Sequence, residues 1–307
     1  MQIFESLDEI KNIEPTAIAL GNFDGVHLGH QKLISDAVKK AHEKEYKSGV
    51  FTFSNHPKNF LPGKKVKNIL YNGEKAEIIE SLGVDYLFNI EFNNDILTMD
   101  AIDFIDKLLV DKLNVKEAFC GFNYRFGHKA LGNPEVLRLE GAKKGFNVNE
   151  MDAFILDGEV VSSTLIRNFI DTGQMEKCAK YMGRNYEIVG EVVVGNKLGR
   201  TLGFPTSNLM IDESMVTPPN GVYITYCTYN GIRYPSITNV GIKPTIGKYK
   251  KNIETHIFNF NKELYGKKII VEFIKKTRDE KKFQGVEQLS EQVLKDCINA
   301  REFHKIV

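Results

Sequence analysis

The sequence is short of charge bias, of cysteine and of long apolar runs, and each shortage excludes a class of function. Lys and Arg number 41 against 40 Asp and Glu, so the net charge is +1. Such a balance provides no dominant electrostatic footprint for nucleic acid. The local basic runs Lys64-Lys65-Val66-Lys67 and Lys248-Tyr249-Lys250-Lys251 read as solvated or anion-facing loops. The four cysteines, Cys120, Cys178, Cys227 and Cys297, are scattered without a CxxC pair. That fits reduced thiols in a cytoplasmic protein and argues against a cysteine metal site. No apolar stretch approaches the roughly 20 residues that span a bilayer. Residues 1–12 carry acidic side chains and no apolar signal core, so neither a secretory leader nor a membrane partner is expected. Internal repeats and low-complexity segments are absent as well, and no obligatory protein partner is evident. What remains is a chain of 307 residues, 42% hydrophobic and 26% charged, enough for one large or two ordinary domains.

The stretch around which the chain is organised is Gly21-Asn22-Phe23-Asp24-Gly25-Val26-His27-Leu28-Gly29-His30. Ala17–Leu20 before it reads as a buried strand. After it, Leu33, Ile34, Ala37, Val38 and Ala41 fall on one helical face. Gly21 and Gly25 allow a tight strand-to-helix turn and close approach of a ligand. A helix start favours anions. His27 and His30, three apart, share one face of its opening turn. Two imidazoles beside an anion-attracting helix start suit nucleotide chemistry.

The first half alternates strands (17–20, 50–53, 86–90, 118–120, 146–151) with helices (31–45, 73–82, 99–113, 134–144). That alternation predicts a parallel sheet with helices on both faces, with ligands at the carboxyl ends of its strands. Ser54-Asn55-His56-Pro57 sits at such an end, where His56 can either line a pocket or pack. Gly121-Phe122-Asn123-Tyr124-Arg125-Phe126-Gly127 follows another strand. Its aromatics can stack a flat ring and Arg125 can bind phosphate, or it is a surface loop. Ser162-Ser163-Thr164-Leu165-Ile166-Arg167 opens a helix, either as a plain cap or as an anion site. From Gly183 on, the pattern changes to closely spaced strands with a strong hairpin signal at Asn230-Gly231. Such spacing suggests a small closed barrel. A final helix, 285–303, presents Val286, Leu289, Val293 and Ile298 roughly on one side. Within Gly195-Asn196-Lys197-Leu198-Gly199-Arg200-Thr201-Leu202-Gly203-Phe204-Pro205-Thr206-Ser207-Asn208, the glycines and Lys197 can wrap phosphates. Thr206 and Asn208 offer neutral oxygens of the kind Mg²⁺ accepts alongside phosphates and water.

The decapeptide at Gly21 resembles the HxGH signature of the nucleotidylyltransferases, in the longer form GxFDGVHxGH of bacterial FAD synthetases. The loop at Gly121 resembles their flavin-side motif, and Ser162–Arg167 their SSTxIR phosphate motif. Asn55 stands where these enzymes usually have the first proline of Pro-His-Pro. The second half is similar to riboflavin kinases. Its matches are Gly199–Asn208 to GRxLGFPTAN with Ser207 for Ala, Gly221-Val222-Tyr223, Asn239–Thr245, Glu254-Thr255-His256, Leu264-Tyr265-Gly266 and the region of Arg278. The whole chain thus resembles the bacterial bifunctional riboflavin kinase/FMN adenylyltransferases.

That resemblance implies an α/β protein. Residues 1–182 would form a Rossmann-like adenylyltransferase domain with a parallel sheet. Residues 183–307 would form a kinase domain built as a small closed β-barrel with a terminal helix. Riboflavin, FMN and ATP would be the substrates, and Mg²⁺ would come with ATP. Glu254 would be the base for riboflavin phosphorylation, with Thr206 and Asn208 at the metal. His27 and His30 would stabilise charge during FMN adenylylation. Gly21, Phe23, Asp24, Gly29, His56, Ser163, Thr164 and Arg167 would hold nucleotide in the first domain, and Gly195, Lys197, Gly199 and Arg200 in the second. Asn123, Tyr124, Arg125, Phe126 and Arg278 would face flavin. Two rivals remain at this point: a flavin sensor without catalysis, and a pantetheine- or nicotinate-type adenylyltransferase carrying an unrelated barrel.

Overall fold

A computed structural model of the chain describes residues 1–60, 63, 65–195, 199, 203–245 and 248–306; the side chains of 243–245 and 248–250 fall outside that description. Lys197 and Arg200 therefore lie outside the described residues. The chain divides into two compact units, Met1–Ser163 and Thr164–Val307.

The first unit runs β1 (Gln2–Phe4), β2 (Thr16–Leu20), α1 (Leu28–Lys44), β3 (Lys47–Phe53), α2 (Asn72–Ser81), β4 (Tyr86–Ile90) and α3 (Asn94–Thr98). It continues with α4 (Ala101–Asp103) leading into a π-helical stretch (Phe104–Lys112), β5 (Val115–Gly121), α5 (Pro134–Lys144) and β6 (Asn147–Met151). A two-stranded hairpin, β7 (Ile155–Leu156) and β8 (Glu159–Val160), follows. The main sheet has the order β1-β4-β3-β2-β5-β6 and is parallel throughout. Every residue of β2 is buried, as a central parallel strand covered on both faces requires. Helix α1 buries Leu33, Ile34, Ala37, Val38 and Ala41, the face its sequence spacing predicts. Helix α5 opens with the Asn133 side chain accepting from the Val136 N–H, has Pro134 in its first turn, and stops at left-handed Gly145. These are three start-and-stop signals that agree with one another.

The chain leaves β2 toward β3 and leaves β5 toward β6, in opposite directions across the sheet. The β2/β5 boundary is therefore the topological switch point, where a crevice opens at the carboxyl ends of the strands. The Gly21 decapeptide follows β2 and the Gly121 loop follows β5, so both motifs arrive at that crevice.

The second unit begins with α6 (Ser163–Asp171) and α7 (Met175–Met182). It continues with β9 (Tyr186–Val193), β10 (Ser207–Met210), β11 (Gly221–Tyr229), β12 (Ile232–Thr245), β13 (Lys248–Ile257), β14 (Lys268–Asp279) and α8 (Val286–His304). The six strands close into a barrel in the order β10-β13-β12-β11-β14-β9, with antiparallel neighbours. Alternation along each strand sorts inside from outside. Tyr223, Thr225 and Cys227 are fully buried. Val222, Ile224, Ile237 and Phe258, on the opposite set, pack against Cys297 and Ala300 of α8.

Several expectations change. The face of α8 turned to the barrel is half-buried Val293 with buried Asp296, Cys297 and Ala300, while Val286 and Ile298 stay about half exposed, at 52% and 47%. Steps of four and three from Val293 keep one face in register, and Ile298 falls off it. Strand β10 begins at Ser207, inside the Gly195–Asn208 stretch, where the sequence pattern predicts no strand. The β7–β8 hairpin turns on Asp157 (φ 50°) and Gly158 (φ 80°), an Asp-Gly signal of the same kind as Asn230-Gly231 (φ 48° and 75°). Finally, α6 and α7 belong to the barrel's compact unit. Helix α7 packs on β14 and β9, and Glu176 pairs with Lys275 at 3.3 Å. The compact units thus part after Ser163, whereas the motifs divide the chain at 182/183.

Candidate active sites

In the first unit the turn after β2 is strained and tightly packed. Phe23 (φ 45°), Gly25 (φ 86°) and Val26 (φ 36°) all take left-handed conformations, unusual for Phe and Val. Strain of this kind is kept where the surroundings over-determine it, and here they do. The Phe23 ring is fully buried, and a Cβ on Gly21 would lie 3.0 Å from it. Asn22 O accepts from Thr52 Oγ1 at 2.8 Å, and Val26 O accepts from Gln31 Nε2 at 2.8 Å. Asp24 Oδ1 accepts from the Ile69 N–H at 2.9 Å, and Asp24 O from Ser163 Oγ at 2.7 Å.

That frame fixes two imidazoles. His27 caps α1, its Nδ1 accepting from the His30 N–H at 3.3 Å. The rings stack with centroids 3.6 Å apart and planes 17° apart, and Phe23 closes edge-on against His30 at 5.1 Å. Gly29 leaves room for this: a Cβ there would sit 3.4 Å from the His27 ring and 3.2 Å from Phe154 Cβ. His27, Asp24 and His56 are buried. His56 Nδ1 accepts from the Lys58 N–H at 3.2 Å. Asn55, which replaces the usual proline, bridges to the end of β4 by exchanging two hydrogen bonds with the Phe92 backbone, at 3.0 and 2.7 Å.

The Gly121 loop separates its residues. Asn123 and Arg125 are exposed. Phe126 is buried, stacks on Tyr124 at 5.6 Å and leans on Phe104 at 5.1 Å. Burial drives the Tyr124 hydroxyl far above its ordinary pKa. These two aromatics anchor the loop, and Asn123 and Arg125 are what it displays. Ser163 closes the first unit, while Thr164 and Arg167 fall in the opening turns of α6.

In the second unit a cavity of about 280 Å³ lies on the outer wall of the barrel beneath α8. Glu254 stands on β13 directly opposite Asn208 on β10 and Asn239 on β12, so the three side chains share the outward face. Glu254 accepts from Asn252 Nδ2 at 2.7 Å. Gly199, Thr206, Asn239, Glu254, His256 and Arg278 all line the cavity. Gly195 passes directly over Asn208, where a Cβ would lie 2.4 Å from Nδ2. A Cβ on Gly199 would meet Phe204 O at 2.5 Å and Thr206 Oγ1 at 3.3 Å. Both glycines are needed for close approach rather than for a special φ. His256 Nδ1 lies 2.8 Å from Pro205 O, and burial pulls its pKa below the usual value. Arg278 is gripped by Asp296 of α8 through Nε (3.0 and 3.1 Å) and Nη2 (2.7 Å). Gln292 Nε2 donates to the same carboxylate at 2.9 Å.

Asp296, Asn239 and His256 were missed as site residues. Asn239 and His256 lie within motif matches, so a register argument could have found them. Nothing in the sequence points a helical aspartate at Arg278. Among the described residues no group of three or more His, Cys, Asp or Glu could hold a metal. A cation carried by substrate phosphates would instead meet neutral oxygens, the Thr206 hydroxyl and the Asn208 amide, beside one carboxylate. That donor set suits a hard divalent ion.

Comparison with known proteins agrees with this division of sites. The FAD synthetase family model matches residues 9–165, and the riboflavin kinase model matches residues 182–304. The chain is 35% identical over 314 aligned positions to the bifunctional riboflavin kinase/FMN adenylyltransferase of Buchnera aphidicola subsp. Schizaphis graminum, covering all of both chains. It is 37% identical to the enzyme of the same description from Bacillus subtilis, over 92% of this chain and 90% of that one. A crystal structure from Streptococcus pneumoniae, described as a macrolide-efflux protein, superposes with a TM-score of 0.89 at 29% identity over 98% of both chains. Among the described residues of the present chain no helix is long and apolar enough to cross a membrane. The chain belongs to the bifunctional riboflavin kinase/FMN adenylyltransferase family, with FAD synthetase activity N-terminal and riboflavin kinase activity C-terminal.

Proposed function

We propose that riboflavin is phosphorylated on the outer wall of the barrel, with Glu254 as the base, and that FMN is adenylylated at the turn around His27 and His30. In the first reaction, riboflavin + ATP → FMN + ADP, the 5′-hydroxyl oxygen bonds to the γ-phosphorus and the bond to ADP breaks. The hydroxyl proton passes to Glu254. The observation carrying this reading is the row Asn208–Glu254–Asn239 across three adjacent strands, of which Glu254 and Asn239 line a cavity large enough for part of a flavin. Thr206 and Asn208 would hold Mg²⁺, which neutralises phosphate charge when it is bound with ATP. Gly195 and Gly199 let the backbone approach the nucleotide, and Lys197 and Arg200 of the same segment carry the expected phosphate contacts. Arg278, oriented by Asp296, faces the flavin.

In the second reaction, FMN + ATP → FAD + pyrophosphate, an FMN phosphate oxygen attacks the α-phosphorus. That phosphate is already ionised, so no side-chain base is needed. His27 and His30 stabilise charge on the transferred group and on pyrophosphate. Gly21, Phe23, Asp24 and Gly29 shape the turn, His56 borders it, and Ser163, Thr164 and Arg167 carry the phosphate role of their motif. Asn123 and Arg125 face the flavin side from the switch point, on a loop anchored by Tyr124 and Phe126. By function the chain then divides into residues 1–182 and 183–307, acting in the cytoplasm without nucleic acid, membrane or an obligatory protein partner. Incubation with riboflavin and Mg-ATP, resolving FMN from FAD, tests the whole reading. His30→Ala should stop at FMN and Glu254→Gln should make neither product unless FMN is added.

A further inference from the structure

Lys75 is the one Lys or Arg buried among the described residues, at 6% exposure. Lysines are almost never buried this deeply without a strong pair. Lys75 stands near the start of α2, the end of a helix dipole that repels a cation. Its Nζ donates to Phe53 O, at the last residue of β3, at 2.6 Å. The carboxylate of Asp24 supports its charge but only partly offsets burial, which brings the lysine down to about 8. An ammonium has three N–H donors, and the hydrogen bond to Phe53 accounts for one of them. The remaining face borders a polar cleft lined by Asn22, Asp24, His56, Asn68 and Asn72. This cleft opens beside the strained turn that holds His27 and His30. A lysine kept only for packing would be replaced at this position by Met or Leu at lower free energy, so the placement calls for an anion.

We propose that Lys75 is an anion-binding residue of the adenylyltransferase site, its ammonium holding a phosphate oxygen of FMN or ATP from the β3/α2 side of the turn. The inference rests on placing adenylyl transfer at His27 and His30. Bound phosphate supplies the counter-charge that burial withholds, and Asp24 and His56 are the other titratable groups facing the ammonium.

The test uses the full chain, with Lys75→Met, Lys75→Arg and His30→Ala, and FAD formation assayed from added FMN and Mg-ATP. Riboflavin phosphorylation serves as the internal control. Lys75→Met should raise KM about 10- to 100-fold for whichever substrate lends the phosphate, leaving FMN formation unchanged. A rise confined to FMN identifies the flavin phosphate as the ligand, and a rise confined to ATP identifies the triphosphate. Wild-type kcat/KM should fall as pH rises through about 8. The Lys75→Met profile should be flat there, and Lys75→Arg should hold its activity to higher pH. Melting of Lys75→Met should occur at or above the wild-type temperature. Unchanged KM values with an unchanged alkaline limb overturn the proposal, as does a lowered melting temperature with normal KM. If His30→Ala retains FAD formation, the placement of the site fails as well; if it loses FAD formation while Lys75→Met retains normal KM, only the role of Lys75 fails.

Discussion

Replacing Glu254 by Gln removes one proton acceptor and keeps the shape of the side chain. The residue lies on the outer face of β13, so the barrel interior is untouched. The 2.7 Å bond from Asn252 Nδ2 can still reach an amide oxygen of the same shape. Asn208 and Asn239, opposite it in register, are neutral and lose no charge partner in the change. Binding of riboflavin and Mg-ATP should therefore be nearly preserved, because the proton moves only as the phosphoryl group is transferred. Removing a general base lowers turnover by about 10²–10⁴-fold, which is about 3–5 kcal/mol of barrel-site catalysis at roughly 1.4 kcal/mol per decade. The measurement is single-turnover FMN formation, with riboflavin affinity determined on the same sample and FAD formation from added FMN as the control. Unchanged turnover with intact binding would refute the assignment and leave phosphate positioning as the source of rate. A weakened affinity with proportionate loss of kcat/KM would instead make Glu254 a binding group.

Other perturbations separate the remaining roles. His30→Ala should lower FAD formation by about 10²-fold or more while riboflavin is still converted to FMN, which a paired product assay reads directly. Asp296→Ala leaves Arg278 without its buried partner, an effect of about 3–5 kcal/mol in comparable pairs; chemical denaturation should show the loss, and riboflavin affinity should fall with it. Folded Lys75 titrates at about 8 against the ordinary 10.5, so between these values the unfolded chain holds the extra proton and stability rises with pH. The full gain is about 3 kcal/mol at about 1.36 kcal/mol per unit; denaturation of wild type against Lys75→Met across that interval checks it, since the variant should lack the rise. A fragment starting at Thr164 should fold and phosphorylate riboflavin, whereas one starting at Arg184 loses α7 from β9 and β14 and should melt at lower temperature by circular dichroism.

The sequence alone determined whatever depends on local periodicity and short-range turn chemistry. The face of α1, the strand-to-helix turn at Gly21, the limits of α5 and the Asn230-Gly231 hairpin are all written in neighbouring residues. So is the change from alternating strands and helices to closely spaced strands, which separates a parallel sheet from a barrel. The motifs at Gly21 and Gly199 were legible as patterns for the same reason, since each is a run of particular residues at fixed short spacings. The tertiary structure decided what depends on residues far apart in the chain. Strand order creates the switch point that brings the loops after β2 and β5 to one crevice. Barrel register, not spacing, sets Asn208 and Asn239 beside Glu254. Helix α8 turns Asp296 rather than Ile298 inward because its register is chosen by the barrel wall it covers. Lys75 is buried because α2 carries it to the end of β3, where its Nζ donates to Phe53 O, and no local pattern marks that placement. Side-chain burial and cross-strand pairing are properties of the closed fold, and no window of local sequence contains them.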